Sequence, residues 1–195
     1  MVIIMILMKD IIQEGHPTLR KRSVEVPLPL SNEDLTTLRE MMEYVVSSQN
    51  PELVESLGLR PAVGLSAPQI NISKRMFVIL AENETFTNYV QWAIVNPKII
   101  SYSEEMTYIP GGEGCLSVDE EKNGLVPRYA RFKAKVHLVN LETGETKETL
   151  LKLSGFIGVV FQHEYDHLQG VLFVDKLNQD LSQLKPIEFI EPTEE

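Results

Sequence analysis

Two histidines four residues apart, His163 and His167, stand in a stretch of chain whose flanking residues are mostly apolar. Side chains four residues apart project from the same face of an α-helix, so a helix would bring the two imidazoles close together. Ser154 is suited to cap such a helix, and Gly170 is suited to end it. Because unpartnered histidines in a buried helix would be costly, we predict a buried helix over residues 154–168 whose two imidazoles share a ligand.

A metal ion is the ligand that this pattern favours. Two imidazoles so placed can hold one ion, and Glu164, next to the first of them, can act as a base toward a water molecule. A catalytic site also needs a third protein ligand. Other His-Glu-x-x-His enzymes use a later His or Glu, but Phe173 occupies the position for that His. Glu188 and Glu191 are the downstream carboxylates, and both lie in a weakly patterned tail.

The single cysteine of the chain, Cys115, is the better candidate for the third ligand. It follows a glycine-rich segment, residues 111–114, and glycine lets the backbone approach a site closely. A thiolate is a strong ligand for Fe²⁺ or Zn²⁺. Burial as an inert side chain is the commoner fate of a lone cysteine, but it explains neither the glycines nor the missing ligand. The remaining histidines, His16 and His137, are predicted to be structural.

The composition predicts an ordinary globular protein. A chain of 195 residues corresponds to one domain, residues 1–195, with an acidic tail at about residues 186–195. With 18 Lys and Arg against 28 Asp and Glu, the net charge is −10, which disfavours direct binding of nucleic acid. The apolar start, residues 1–8, is too short to span a membrane, lacks the features of a signal peptide, and is expected to form a strand or an arm. With a single cysteine as well, the expected location is the cytoplasm.

The rest of the pattern predicts an α+β fold. Ser31, with Asp34 three residues later, begins a helix that should end near residues 50–51, and residues 58–69 read as a loop. Strands are predicted over residues 75–80, 90–95, 99–102, 132–141, 146–153, 171–173 and 187–190. The expected architecture is a set of antiparallel or mixed β-sheets around a buried central helix that carries the His-Glu-x-x-His motif.

Three short motifs, in this order along the chain, resemble those of the peptide deformylases. Residues 62–69 read Ala-Val-Gly-Leu-Ser-Ala-Pro-Gln, where that family usually has Gly-x-Gly-φ-Ala-Ala-Pro-Gln. Residues 113–117 read Glu-Gly-Cys-Leu-Ser, and residues 162–167 read Gln-His-Glu-Tyr-Asp-His, both intact. The similarity extends over about residues 8–175. Ala62 and Ser66 are the departures, and Ser66 is expected either to add a hydrogen bond or to crowd the loop.

The long segment between Gly15 and Gly64, together with the absence of a basic C-terminal helix, resembles the second bacterial class of that family, common in Gram-positive bacteria. In other members a basic C-terminal extension docks on the ribosome, and the acidic tail of this chain disfavours that mode. Proximity to the ribosome stays compatible with the sequence.

The resemblance implies a metal-dependent hydrolase that removes the N-formyl group from the N-terminal methionine of newly made proteins and releases formate. It implies Cys115, His163 and His167 as ligands of one divalent ion, Fe²⁺ in cells, with Zn²⁺, Ni²⁺ or Co²⁺ in purified protein. Glu164 would move the proton from water to the leaving nitrogen. The partners implied are N-formylmethionyl nascent peptides, with neither a membrane nor nucleic acid.

The resemblance also implies how the substrate is held. The side-chain amide of Gln69 and the backbone N–H of Leu116 would stabilise negative charge on the formyl oxygen. Backbone groups that can pair with an extended peptide, and apolar side chains that can surround methionine, come from Val63, Gly64, Gly112, Gly114, Phe156 and Val159. Separately, a lone buried carboxylate would be costly, so we expect Asp166 to pair with Arg128.

Three other readings of the chain stay open at this point. A protease that cuts internal peptide bonds would use a downstream carboxylate ligand and would not need Cys115. A metal-binding protein without catalysis would not need Glu164. A deformylase-like fold that has lost its activity would owe the loss to Ala62 or Ser66.

Overall fold

The computed structural model describes residues 5–120 and 122–190, and the element bounds below refer to that part of the chain. The helices are α1 (Asn32–Ser48), α2 (Pro51–Leu57) and α3 (Gly155–Leu168). The strands are β1 (Gly64–Ser66), β2 (Met76–Glu82), β3 (Tyr89–Tyr102), β4 (Met106–Thr107), β5 (Arg128–Tyr129), β6 (Arg131–Val139) and β7 (Thr146–Ser154). Short 3₁₀ turns occupy Met8–Asp10, Pro17–Arg20, Ala67–Ile70 and Phe173–Lys176.

Five of the strands form one antiparallel sheet, in the order β1-β2-β3-β6-β7. Strands β4 and β5 form a separate antiparallel pair. The predicted α+β class with antiparallel sheets is therefore confirmed. Within the described residues, strand β1 is an edge strand that pairs only with β2, which leaves its other edge open there.

Helices cover both faces of the sheet. The strand β2 is therefore buried on both sides, which explains its run of apolar residues. Met76 and Val78 belong to one buried cluster together with α1, which contributes Leu38. Phe77 and Ile79 belong to a second cluster, together with α3. Successive side chains of a strand point to opposite faces, so a strand buried on both sides must be apolar throughout.

The helix α1 and the β6–β7 hairpin form where the sequence predicts them. The Asp34 N–H donates to Ser31 Oγ at 3.0 Å, which satisfies one of the free donors at the start of α1. Residues 140–145 join β6 to β7, which pair over nine residues, close to the two strands predicted at 132–141 and 146–153. At the end of α1, Asn50 and Pro51 start the short helix α2, which was not predicted.

Residues 90–102 form one strand, so the prediction of two strands separated at Pro97 was wrong. The pairing of β3 with β6 shifts register between Val95 and Lys98. An irregularity of this kind leaves one position without a ladder bond, which is where a strand tolerates proline. The predicted loop over residues 58–69 also contains β1, whose three residues are too few to show a period.

The two strands predicted near the C-terminus are not present. In place of a strand at residues 171–173, the Leu172 N–H donates to the Asp175 carboxylate at 2.9 Å and starts a 3₁₀ turn. Residues 187–190 make isolated bonds, from Ile187 N–H to Tyr108 O and from Ile190 N–H to Glu84 O, without a ladder. Of the expected N-terminal strand or arm, residues 5–7 have no regular structure and residues 1–4 lie outside the description, as do tail residues 191–195. Among the described helices, none is both long and apolar enough to cross a membrane.

Gly170 follows α3 with φ +75°, and the backbone of Arg20 and Lys21 packs directly on it. A Cβ at this position would lie 2.7 Å from the carbonyl carbon and oxygen of Arg20. Gly58, after α2, has a similar φ of +64° but has no atom within 4 Å of a built Cβ. Gly170→Ala is therefore expected to lower the free energy of unfolding by about 1–3 kcal/mol more than Gly58→Ala, because it adds a backbone clash to the same conformational strain.

Urea unfolding of both variants at a fixed metal concentration measures this difference. If the two variants lost the same free energy of unfolding, the packing of the Arg20 backbone against Gly170 would not contribute to stability.

Candidate active site

Helix α3 presents the two predicted histidines side by side. The ring centroids of His163 and His167 lie 5.1 Å apart. Ser154 is the N-cap residue, but its side chain makes no capping hydrogen bond, contrary to the prediction. Glu84, from the turn between β2 and β3, instead accepts the Phe156 N–H at 3.0 Å. An anionic side chain at this end also suits the helix dipole.

The structure brings the predicted third ligand to the histidines. One nitrogen of each of His163 and His167 and the sulfur of Cys115 lie within 4.8 Å of one another. Within residues 5–120 and 122–190, this is the only group of three or more potential ligands. Cys115 Sγ is 3.4 Å from His167 Nε2, and both residues are buried. A thiolate and two imidazoles form a donor set for Zn²⁺ or Fe²⁺, so these residues fit a metal ion.

The competing third ligands do not enter the group. Phe173 packs its ring on the ring of His163, with centroids 6.0 Å apart, and so closes that side with an apolar wall. Glu188 is not part of the ligand group, and Glu191 lies outside the described residues. His16 accepts the Thr18 N–H at 3.2 Å in an N-terminal turn and is not part of the ligand group. His137 lies in β6.

A buried carboxylate orients the first histidine. Glu113 Oε2 is 2.8 Å from His163 Nδ1, which leaves Nε2 free for a metal ion. The Arg128 guanidinium, 1% exposed, donates to both oxygens of Glu113, at 2.8 and 2.7 Å. Burial alone would raise the pKa of Glu113, but the hydrogen bonds from Arg128 and His163 outweigh it and lower that pKa to about 2.

Arg128 also joins this network to the helix. Its Nη1 donates to Asp166 at 2.5 Å, so the predicted pairing of these two residues is confirmed. Lys176 donates to the same Asp166 oxygen at 2.6 Å. The buried carboxylates of Glu113 and Asp166 thus share one guanidinium between α3 and residues 111–119, the cysteine loop.

Glu164 is buried beside the candidate ligands, and among the described residues no cation forms a hydrogen bond with its side chain. Its Oε2 accepts the Ser66 hydroxyl at 2.7 Å. A Cβ on Gly64 would lie 2.5 Å from its Oε1, so only glycine leaves room for this carboxylate. Burial raises the pKa of Glu164 above its ordinary value, and the nearby His163 and the Ser66 hydrogen bond offset that rise only in part. A carboxylate with raised pKa is a stronger proton acceptor.

The amide of Gln69 has a defined orientation. Its Oε1 accepts the Ser66 N–H at 2.9 Å, which turns the NH₂ group toward Cys115 Sγ at 3.5 Å and Ser117 Oγ at 3.3 Å. Gln69 is 2% exposed. The NH₂ group therefore presents hydrogen-bond donors beside the metal ligands.

The site opens into a cleft of about 390 Å³. Glu164, Gln69, Leu116, Cys115 and His163 contribute to its lining. The six residues predicted to hold substrate all line the same cleft: Val63, Gly64, Gly112, Gly114, Phe156 and Val159.

The model of the polypeptide deformylase family matches residues 8–183 of this chain. The chain belongs to that family. The similarity inferred from the three motifs is thus confirmed. Membership makes the chain an enzyme, a hydrolase that removes formyl groups from polypeptides.

Several relatives share about half of their residues with this chain. Peptide deformylase 2 of Bacillus cereus is 51% identical over 176 residues, covering 90% of this chain and 92% of the relative. The peptide deformylase of Halalkalibacterium halodurans is 50% identical over 173 residues, covering 89% and 92%.

Solved structures are similar as well. A probable peptide deformylase from Synechococcus phage S-SSM7 has a TM-score of 0.66 at 33% identity, covering 86% of this chain and 98% of that one. The Met-Ala-Ser-bound peptide deformylase of Acinetobacter baumannii has a TM-score of 0.65 at 28% identity, covering 90% and 100%.

Three residues that form hydrogen bonds in the site were not predicted from the sequence to do so. Glu113 stands among glycines, two residues before the candidate ligand Cys115 in the sequence. A charged residue in such a glycine-rich segment is the signal from which a role in the site could have been predicted. Ser66 was noted only as a departure whose hydrogen bond had no partner assigned. Glu84 lies in a polar turn, and nothing in its surroundings predicts that it reaches the start of α3.

Glu113→Gln is expected to lower metal affinity about 10- to 100-fold, because His163 loses the carboxylate that orients it. It is also expected to lower the free energy of unfolding by about 3 kcal/mol, because Arg128 is left buried with one fewer carboxylate. The matched control is Glu105→Gln, which breaks an exposed ion pair with Arg131 and should cost less than about 1 kcal/mol. Metal competition with a chromophoric chelator and urea unfolding measure the two effects.

The stability difference between the parent and Glu113→Gln should also depend on pH. The pKa of Glu113 falls from its ordinary value of 4.5 to about 2 in the fold, so the carboxylate stabilises the protein fully above pH 4.5. That contribution is lost as the pH falls toward 2. Unfolding curves taken across this range should converge at the acid end, and a constant gap would contradict the role assigned to the ionised carboxylate.

Proposed function

We propose that this chain hydrolyses the N-formyl group of the N-terminal methionine of newly made proteins, with Glu164 as the proton carrier beside a divalent ion. The observation that carries the proposal is that Glu164, Cys115 and His163 line one cleft whose wall is an open sheet edge. The whole chain would act as one catalytic domain, with residues 186–195 as its acidic tail.

Cys115, His163 and His167 would hold the ion, which we propose to be Fe²⁺ in the cell, with Zn²⁺, Ni²⁺ or Co²⁺ as substitutes in purified protein. When bound, such an ion supplies Lewis acidity, which lowers the pKa of water and polarises a carbonyl oxygen. His167 Nδ1 is buried without a hydrogen-bond partner among the described residues, which is consistent with a ring held through Nε2.

Glu164 performs the proton transfers. Its carboxylate accepts a proton from the attacking water as the oxygen bonds to the formyl carbon. It then gives that proton to the peptide nitrogen while the carbon–nitrogen bond breaks. Formate and a free amino terminus result, and Glu164 returns to its ionised state. The hydroxyl of Ser66 holds the carboxylate in place during both transfers.

Two donors are placed to stabilise the negative charge that develops on the formyl oxygen. One is the NH₂ group of Gln69, whose direction is set by the bond from Ser66 N–H. The other is the backbone N–H of Leu116, which makes no hydrogen bond to residues 5–120 or 122–190. Preorganised donors of this kind contribute about 10²–10³ in rate each.

The peptide would bind as an added strand along β1. Leu80 N–H donates to Val63 O at 2.9 Å, so the alternation of an antiparallel ladder turns the Gly64 N–H and C=O away from β2. These groups face the cleft, with Gly112 and Gly114 also in its lining. Phe156 and Val159 offer the apolar surface for the methionine side chain. The related Acinetobacter baumannii enzyme has been crystallised with Met-Ala-Ser.

The natural substrates are then chains that have recently left the ribosome, and the enzyme would work in the cytoplasm. A net charge of −10 argues against docking on the ribosome through a basic tail and against direct binding of nucleic acid. The helices described above include none that would place the enzyme across a membrane.

Release of formate from formyl-Met-Ala-Ser tests the proposal, with protein prepared without oxygen and loaded with Fe²⁺. Glu164→Ala is expected to lower the rate by about 10²–10⁴, the usual contribution of a positioned acid–base group. Glu148→Ala, an exposed carboxylate on β7, serves as the matched control and should retain the parent rate. Cleavage of internal peptide bonds without formate release, or an unchanged rate in Glu164→Ala, would overturn the proposal.

Removal of the metal is expected to abolish formate release and to lower the unfolding midpoint, since an ion that binds only the native state stabilises it. Added Fe²⁺ should restore both formate release and the unfolding midpoint.

Exposure of the Fe²⁺ form to air should inactivate it, because Fe²⁺ would lie beside an oxidisable thiolate. Elemental analysis of protein purified without oxygen identifies the ion, and full activity after exhaustive chelation would exclude a metal-dependent reaction.

A further inference from the structure

Arg60 stands between α2 and β1 and spreads its guanidinium over the cysteine loop. Its Nη2 donates to Cys115 O at 3.1 Å and to Val118 O at 3.2 Å. Its Nη1 donates to Leu116 O at 3.3 Å and to the exposed carboxylate of Asp119 at 3.1 Å. Three backbone carbonyls within residues 115–118 therefore accept hydrogen bonds from a single cation.

The carbonyl of Cys115 and the N–H of Leu116 are the two ends of one peptide group. A peptide group is planar and trans, so its C=O and N–H point in opposite directions. When Arg60 fixes the carbonyl end, it fixes the direction of the N–H at the other end. The Leu116 C=O is held in turn by Arg60 and by Gln13 Nε2 at 3.2 Å, so the residue is anchored on both sides of its N–H.

Arg60 also acts on the polarity of that peptide group. A cation that donates to the carbonyl oxygen draws electron density from the amide and makes its N–H a better donor. The Leu116 N–H makes no hydrogen bond within residues 5–120 and 122–190, although its residue is only 5% exposed. A buried, polarised and free donor that lines the cleft is suited to receive negative charge.

The position of Arg60 is itself determined by the core. The hydroxyl of Tyr44, a fully buried residue of α1, donates to Arg60 O at 3.1 Å. The backbone of Arg60 therefore cannot shift without breaking a bond to the helix. The guanidinium reaches the loop from a fixed base, while its outer side stays partly in solvent.

We propose that Arg60 is a positioning residue for oxyanion stabilisation, which it achieves by holding and polarising the Cys115–Leu116 peptide group; this inference rests on the function proposed above. Arg60 touches neither the reacting atoms nor the metal ligand side chains. Its effect should appear in the step where charge develops on the formyl oxygen. Arg60 also contributes to the lining of the cleft, but the role proposed here predicts an effect on kcat rather than on KM.

The first experiment compares Arg60→Met and Arg60→Lys with the parent on formyl-Met-Ala-Ser. Arg60→Met is expected to lower kcat about 10- to 100-fold, less than the roughly 10²–10³ caused by outright loss of a donor. KM and metal content should stay at the parent values. Arg60→Lys, whose single ammonium cannot span several carbonyls, should recover only part of kcat. Asp119→Asn, which removes only the exposed partner of Arg60, should match the parent.

A second measurement separates this role from simple support of the loop. An N-thioformyl substrate develops charge on sulfur, which accepts hydrogen bonds more weakly than oxygen. The loss of kcat caused by Arg60→Lys or Arg60→Met should therefore be smaller with the thioformyl peptide than with the formyl peptide. If Arg60 only supported the loop, both substrates would lose the same factor and metal content would fall.

The outcomes distinguish this inference from the proposed function. A parent enzyme that releases no formate contradicts the proposed function itself. An active parent with an unchanged kcat in Arg60→Met, or with equal losses on the two substrates, overturns the role of Arg60 alone. If Arg60→Met does not fold, Arg60→Lys and the substrate comparison decide the question.

Discussion

The buried guanidinium of Arg128 connects the two segments of chain that supply the three candidate metal ligands. It binds Glu113 in the cysteine loop and Asp166 in α3, and Glu113 in turn orients His163. A guanidinium in the interior is stable only while its carboxylates stay ionised and in contact. The loop and the helix are far apart in sequence, so this cation is what converts two separate elements into one ligand set.

Two buried glutamates in the same site are suited to different roles, because their surroundings shift their pKa values in opposite directions. Glu113 has a cation against both oxygens, and its pKa is depressed to about 2. Glu164 has a hydroxyl and the space left by Gly64, and burial raises its pKa. The first carboxylate stays ionised and orients a ligand, whereas the second can accept and return a proton. Pairs of like groups with pKa values shifted apart are a general means of assigning distinct roles.

The parts of the fold that were predictable are those with a repeating local signal. Capping by Ser31, the alternation along β6 and the spacing of His163 and His167 each appear within a few residues, and each formed where it was expected. The group of Cys115, His163 and His167, which could hold a metal ion, was also predictable, because few residue types can bind a metal and Cys115 is the only cysteine. Local signals of this kind are independent of how distant segments meet.

The features that escaped prediction depend on contacts between distant segments. Strand β1 is too short to show a period, and β3 continues past Pro97 because an irregularity absorbs the missing donor. Glu84 caps α3 from 72 positions away, and Arg60 reaches carbonyls more than fifty residues later. Such contacts are set by the assembled sheet, and no short window of sequence contains them.

The free edge of β1 has a consequence for the range of proteins that the enzyme can process. Val63 already bonds to β2, and the Ser66 N–H is taken by Gln69, so the N–H and C=O of Gly64 are the groups of this edge that remain for a peptide in the ladder. These two groups would form hydrogen bonds with main-chain atoms, which every polypeptide shares. If the peptide pairs with β1 as proposed, a substrate chain would be recognised beyond its first residue with little regard to its sequence.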